Sequence, residues 1–464
     1  MNGKRFLAAV FAAIAAAGLA AQVQPKVTAN DLKADVSFLA SDALEGRGTP
    51  SKGLDIAAEY IASEFRRAGL EPAGDDGYFQ TADFSSVSRT MDGVELTLEI
   101  GGRKIQVDPG SMAIMEPGAV NLDDVPMVVM TDASQDMGDK PVLVNSPRWR
   151  SMGNGHPPLV VLMVPSPGGG TGGAPVLEPV PSPYPPVLVV WDVAVSEALT
   201  AGATDVEVSA HMPAPATQQP VKLRNVIGVL RGSDPALKDT YLVLTAHYDH
   251  LGVRGSGEGD HIFNGANDDA SGTSSVLEIA KALASLSQRP RRSIVFLTVF
   301  GEELGDLGSR YYCQHPVFPL AKTVANINLE QLGRTDDTEG PRLLQFNLTG
   351  FDYTDIAAFL SKAGEKTGIR VVKDKKNSES FFARSDNAAF AGAGIPSTTL
   401  SVSYIFPDYH RPGDEWPKLD YDNMAKVDDA VALGVYGIAD SAEAPQWNKD
   451  NPKTARYVEA REKH

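Results

Sequence analysis

The chain has 464 residues, 42% of them hydrophobic, enough for one large core with an insertion or for two or three domains. Its 42 basic and 59 acidic side chains give a formal charge of −17, which opposes the counterion release that drives nucleic-acid binding, so no nucleic-acid partner is expected. A single cysteine, Cys313, excludes an intramolecular disulfide and has no zinc-finger spacing around it; it reads as a small buried apolar residue.

The N-terminus carries Lys4 and Arg5, an apolar run from Phe6 to Leu19 and then small residues at Ala20 and Ala21. This is the pattern of an export signal, residues 1–21, so the mature protein is expected in the periplasm or outside the cell. No later stretch reaches the roughly 18 apolar residues that a membrane span needs. Next come two helices, Asn30–Leu39 with Asn30 or Asp31 as its cap, and Leu54–Ala68 with Ile56, Tyr60, Ile61 and Phe65 on one stripe. They read as a helical flank, within residues 28–93, packed on a larger core. From 94 to 215 short alternating runs such as VELTLEI and KIQV are broken by turns, which predicts a small β-rich insertion. The glycines at 168–173 are followed by neither Lys-Ser nor Lys-Thr and read as a loop, not a phosphate cradle.

After Leu223 apolar strands alternate with helices: NVIGVL, TYLVLTA, a helix over 271–286, SIVFLTVF, a short helix after Gly305, VANINLE, helices at 353–363 and 421–439, and the strand STTLSV. The fold class is therefore α/β, with a mostly parallel or mixed central sheet flanked by helices, over residues 216–445. Residues 446–464 read as a polar tail. In such sheets the site lies beyond the carboxyl ends of the strands. His247, Asp268, Glu303, Glu330 and His410 fall at or shortly after strand ends, and two histidines with three carboxylates suit zinc-like divalent metals.

Asp249 follows His247 on the same strand face and is placed to hold its other ring nitrogen. Asp268 is placed to bridge two cations, whereas Asp269 has the simpler role of a helix cap open to it. Of the pair Glu302–Glu303, one can bind metal while the other takes a proton from an activated water. His250 and His261 read as loop residues. No GxSxG elbow is present, so a serine hydrolase is not indicated.

Residues 240–272, 293–334 and 384–423 resemble the zinc exopeptidase family of aminopeptidase Y, bacterial leucyl aminopeptidase and glutamate carboxypeptidase. That resemblance implies a zinc peptidase core of phosphorylase/hydrolase-like fold, two zinc ions and peptide substrates. It puts one metal on His247 and Glu330, the other on Glu303 and His410, and Asp268 between them, with Glu302 as general base and a cis Asp268–Asp269 peptide bond. The insertion stands where relatives carry a protease-associated domain. Many relatives have Asp at the position of Glu330 and His at that of Asn387. The activity implied is removal of N-terminal residues. A carboxypeptidase, for which Arg334 and Arg384 could hold the terminal carboxylate, a cyclase on the same scaffold, and an inactive binding scaffold remain open. Tyr404 and Tyr409 are candidate oxyanion donors.

Overall fold

The computed structural model describes residues 25–87, 89–130, 138–144, 155–166, 176–179, 184–200, 205–214 and 217–464. The export signal at 1–21 and the glycine cluster at 168–173 lie outside the described residues. The chain divides into two compact units: one takes the described residues up to Thr81 together with Arg224–His464, and the other is Ala82–Leu223.

The larger unit opens with α1, Ala29–Leu39, and α2, Lys52–Arg67. The cap of α1 is Thr28, a residue or more ahead of the expected Asn30 or Asp31: its side chain accepts a hydrogen bond from the Asp31 N–H, and Asp31 suits the positive end of the helix. Ser51 caps α2 in the same way through the Leu54 N–H. The buried stripe of α2 is Leu54, Ala57, Ala58, Ile61, Ala62 and Phe65, whereas Ile56 is 37% exposed. The predicted stripe is thus rotated, because alanines, which carry little hydrophobic signal, form much of the packed face. Tyr60, at the edge of that face, stacks on Phe38 at 4.3 Å and donates a hydrogen bond to Asp35.

The sheet strands of this unit are β1 (Thr217–Leu230), β2 (Tyr241–His247), β3 (Ser293–Val299), β4 (Thr323–Leu329), β5 (Gln345–Leu348), β6 (Arg370–Val372) and β7 (Ser397–Ser401). Their spatial order is β1-β3-β2-β4-β7-β5-β6. The four central strands β3, β2, β4 and β7 are parallel, while β1 and β5 run antiparallel to their inner neighbours. Every residue of β2, β3 and β4 is buried, which accounts for their largely apolar sequence; the two asparagines of β4, Asn326 and Asn328, are hydrogen-bonded to Thr245 and to Ser385 and Thr399.

The helices that follow are α3 (Gly272–Ala284), α4 (Leu307–Gln314), α5 (Ile356–Thr367), α6 (Asn387–Gly392), α7 (Tyr421–Asp440) and α8 (Ala455–Arg461). On one face Val295, Leu297 and Val299 pack with Tyr312 of α4 and Phe390 of α6; on the other, Phe296 meets Phe65 of α2 at 6.4 Å. The parallel strands bring the ends of β2, β3, β4 and β7 to one edge, from which the candidate residues emerge. Cys313 is half-buried against the α4–α6 layer, and burial pushes its thiol up to about 12, so it stays a thiol.

Residues 446–464 do not form a free polar tail. Trp447 and Tyr457 stack at 4.9 Å, are both buried with Tyr353 and Phe382, and the Trp447 indole donates to the Gly394 carbonyl. Two aromatic residues in a short polar stretch outweigh its average composition.

The smaller unit, Ala82–Leu223, is wider at both ends than the 94–215 insertion read from sequence. It contains an antiparallel sheet of Arg103–Gln106, Glu95–Ile100, Val206–Met212 and Val120–Pro126. A second, mostly parallel sheet orders Met112–Glu116, Val187–Val190, Val160–Met163, Val142–Val144 and Val128–Met130. Leu98, Leu143, Val161, Leu188 and Val208 share its core.

The rotated stripe of α2 is open to direct measurement. Ile61→Ala is expected to cost about 2–5 kcal/mol in denaturant unfolding, and Ile56→Ala only about 0.5 kcal/mol. Equal costs would restore the stripe read from sequence.

Candidate metal centre

The site is assembled from four strand ends and two long loops of the larger unit. β2 ends on His247, which is fully buried, and the chain reaches Asp249 two residues later. The His247 Nδ1 lies 3.2 Å from the Asp249 main-chain oxygen and 3.6 Å from its carboxylate Oδ1, so main chain and side chain together fix the ring. The same Oδ1 accepts the Glu302 N–H at 3.2 Å, and Thr49 donates to Oδ2 at 3.1 Å. One buried aspartate therefore positions both the first histidine and the turn carrying the two glutamates.

Beyond β3, Gly301 at φ +67° reverses the chain and sends Glu302 and Glu303 in different directions. Glu302 joins His247 and Glu330, the three offering ligand atoms within 4.8 Å of one another. Glu303 joins Asp268 and His250 in a second such group. His410, from the loop after β7, lies 3.4 Å from Glu303 Oε2. Asp268 lies between the groups: its Oδ1 is 3.3 Å from His247 Nε2 and its Oδ2 is 3.2 Å from His410 Nε2. The Asp268–Asp269 peptide bond is cis. All five predicted ligands are thus brought together, and Glu302 with them.

The loop presenting Asp268 is locked from below. Asp414, fully buried, accepts the N–H groups of Asn267 (2.9 Å) and Asp268 (3.0 Å). Asn267 Oδ1 accepts the N–H groups of Gly333 and Arg334, and Asp269 accepts those of Gly272 and Gln331. Asp269 thus does more than cap a helix: it ties the loop to the chain leaving β4.

Electrostatically the centre is crowded with carboxylates. Burial raises Glu302 well above the ordinary carboxylate range, partly offset by His247. Burial also carries Glu330 to about 7 and Asp414 to about 6. For Asp268 burial acts in the same sense, but hydrogen bonds from His247 and His410 win and hold it far below the usual range. Glu303 falls to about 2 as contacts with His250 and His410 outweigh its burial and the Asp268 charge. Burial would lower His410, yet hydrogen bonds to Asp268 and Glu303 raise it to about 10.

Three contributors are absent from the sequence reading. Arg47, 1% exposed, donates to the main-chain oxygens of Leu39, Tyr248, Asn264 and Gly265, placing a fixed positive charge beneath Asp249, Asp268, Asp269 and Asp414. His250 does lie in the loop after β2, yet it is buried, with Nδ1 2.7 Å from Glu303 Oε1. Its position in HYDH, one residue past Asp249, is the signal that could have found it. Asp386, buried near Asp306, is raised to about 8 chiefly by burial. Asn387 faces the wall behind the site, donating to the Phe382 carbonyl and accepting from Thr399. Arg334 is held by Asp336 and Asp408, and so is not free to take a substrate carboxylate.

The donor set suits divalent metal. The buried atoms His247 Nε2, 3.3 Å from Asp268 Oδ1, and Glu303 Oε1, 2.7 Å from His250 Nδ1, each belong to a group of three converging nitrogen and oxygen donors. Borderline divalent ions take such mixed imidazole and carboxylate sets. Above these donors is a small pocket bordered by Glu302, Glu330, Phe381, Arg384, Tyr404 and Tyr409, among others. Tyr404 brings a buried hydroxyl without a hydrogen-bond partner, and Tyr409 stacks on His410 at 3.9 Å.

Residues 225–435 match the profile of peptidase family M28. Over 236 residues the chain is 28% identical to aminopeptidase YwaD of Bacillus subtilis, covering 50% of this chain and 48% of that one. Over 125 residues it is 37% identical to a probable zinc metalloprotease of Leptosphaeria maculans, covering 26% and 27%. The chain thus spans about half or less of these two curated relatives. The solved aminopeptidase from Aneurinibacillus sp. strain AM-1 superposes with a TM-score of 0.54 at 18% identity, over 91% of this chain and 97% of that one. At that identity the likeness speaks for the fold.

Replacing the buried cation tests how the acids are balanced. Arg47→Met is expected to lower stability by about 3–5 kcal/mol in denaturant unfolding. Arg310→Met, which removes only a half-exposed partner of Asp306, is expected to cost at most about 1 kcal/mol.

Proposed function

We propose, from the premise that residues 225–435 belong to peptidase family M28, that the chain is an exported metallo-aminopeptidase with a two-metal site. The observation that carries this reading is the contact of Asp268 with both halves of the centre, one oxygen toward His247 and the other toward His410. A carboxylate in that position would be able to serve an ion on each side. His247 and Glu330 would hold one, and Glu303 and His410 the other. The names of the relatives support zinc as the metal and peptides as the substrates. The run Phe6–Leu19 behind Lys4 and Arg5 supports export; among the described residues no helix is long and apolar enough to cross a membrane.

Bound divalent ions supply Lewis acidity, polarising the scissile carbonyl and making a water easier to deprotonate near neutral pH. The remaining work falls to the chain. Glu302 takes a proton from water as the oxygen attacks the scissile carbonyl, and delivers it to the leaving amine as the C–N bond breaks. Its burial raises its proton affinity, which favours that role, and its N–H bond to Asp249 fixes where it stands. The Tyr404 hydroxyl, held in its protonated form by burial, donates toward the carbonyl oxygen as negative charge grows there. Asp249 keeps the His247 ring oriented and touches no substrate.

Metal analysis of the purified chain, followed by assays on amino-acid p-nitroanilides and dipeptides, tests the reading: two ions per chain and release of N-terminal residues are expected. Glu302→Gln should abolish turnover with metal content near wild type, while Glu303→Ala should lower metal content. Equal metal loss in both would overturn this division of roles. Tyr404→Phe should reduce kcat about 10–100-fold with little change in KM; an unchanged kcat would remove Tyr404 from the mechanism.

A further inference from the structure

Building on the proposed aminopeptidase reading, we infer that Arg384 is the anchor for a carboxylate on the substrate. The floor of the pocket is acidic, with Asp268, Glu302 and Glu330. Among the described residues bordering it, Arg384 is the one cation, and its exposure places it at the mouth. Its guanidinium lies 4.4 Å from the centroid of the Phe381 ring, and Phe381 packs on Tyr404 at 5.1 Å. The cation is therefore stacked on the wall of the pocket and held over its opening.

No carboxylate among the described residues pairs with Arg384. In a chain of net charge −17 this sets Arg384 apart from Arg334, which is held by Asp336 and Asp408. A guanidinium with its planar fork unoccupied is suited to bidentate recognition of a carboxylate. The pocket thus has a polarity, with acids at the floor and a cation at the mouth. It fits a short substrate whose ammonium end points inward and whose carboxylate points outward. That carboxylate belongs either to an acidic side chain near the cleaved bond or to the free C-terminus of a short peptide. In either case, substrates with no carboxylate within reach of the mouth gain nothing from Arg384.

Two isosteric pairs separate the sources: Glu-p-nitroanilide against Gln-p-nitroanilide, and Leu-Leu against Leu-Leu-amide. For the zinc-loaded full chain, kcat/KM is expected to favour the carboxylate member of one pair by about tenfold or more. Arg384→Gln should erase that preference, and Arg384→Lys should keep part of it. A preference in the first pair names an acidic residue, and one in the second names the free C-terminus. A merely structural role would lower all four rates together and leave both ratios unmoved. Absence of preference in both pairs, or a preference that survives Arg384→Gln, overturns the inference. If the wild type cleaves none of the four, the aminopeptidase reading falls instead, and the anchor is judged by calorimetric binding of glutarate against glutaramide. Glutarate binding that weakens about tenfold in Arg384→Gln supports the anchor, and equal binding by both proteins overturns it.

Discussion

The arrangement depends on one electrostatic constraint: a set of carboxylates is gathered at a single sheet edge and removed from water. Asp249, Asp268, Asp269, Asp386 and Asp414 are buried, and Glu302, Glu303 and Glu330 stand at the same edge. Uncompensated, such a group would oppose folding strongly. The fold answers with several kinds of positive charge. Arg47 is permanent and sits beneath the cluster, main-chain N–H groups point at Asp414 and Asp269, and imidazoles stand between the remaining acids. What they leave unbalanced faces the pocket, where divalent ions would complete the balance.

The parallel sheet was legible because its strands are buried on both faces and read as largely apolar runs. The five candidate ligands were legible because they lie at or shortly after the points where those runs stop. Arg47 was not, since it reaches the centre from the N-terminal flank, some 200 residues away from Tyr248 in the chain, and no local pattern distinguishes it from a surface arginine. His250 was missed for another reason: the residue after Asp249 was treated as already in the loop, whereas the backbone keeps it buried against Glu303. The helix stripe of α2 failed where alanine does the packing, and the C-terminal segment failed where two aromatics carry it against a polar average. The smaller unit was recognisable as β-rich, yet its margins were not, because β1 runs without interruption from one unit into the other.

The floor and the wall of the pocket are built to different standards. The floor is cross-tied: the Asp268 loop is bonded to Asp414 and to the residues after β4, and Asp249 ties His247 to the Glu302 turn. The wall is stacked instead, with Arg384 on Phe381 and Phe381 against Tyr404. Hydrogen bonds to buried charges fix atoms closely, whereas ring contacts tolerate exchange of one side chain for another. Chemistry belongs with the first kind of construction and selectivity with the second.

The turn at Gly301 links two tasks that are usually separable. Glu302 and Glu303 are neighbours on one short stretch of backbone, yet one serves the half of the centre around His247 and the other the half around His410. Both hang from the single short turn that follows that glycine. On the proposed reading, the reach of the base and the spacing of the ions would therefore share one backbone anchor.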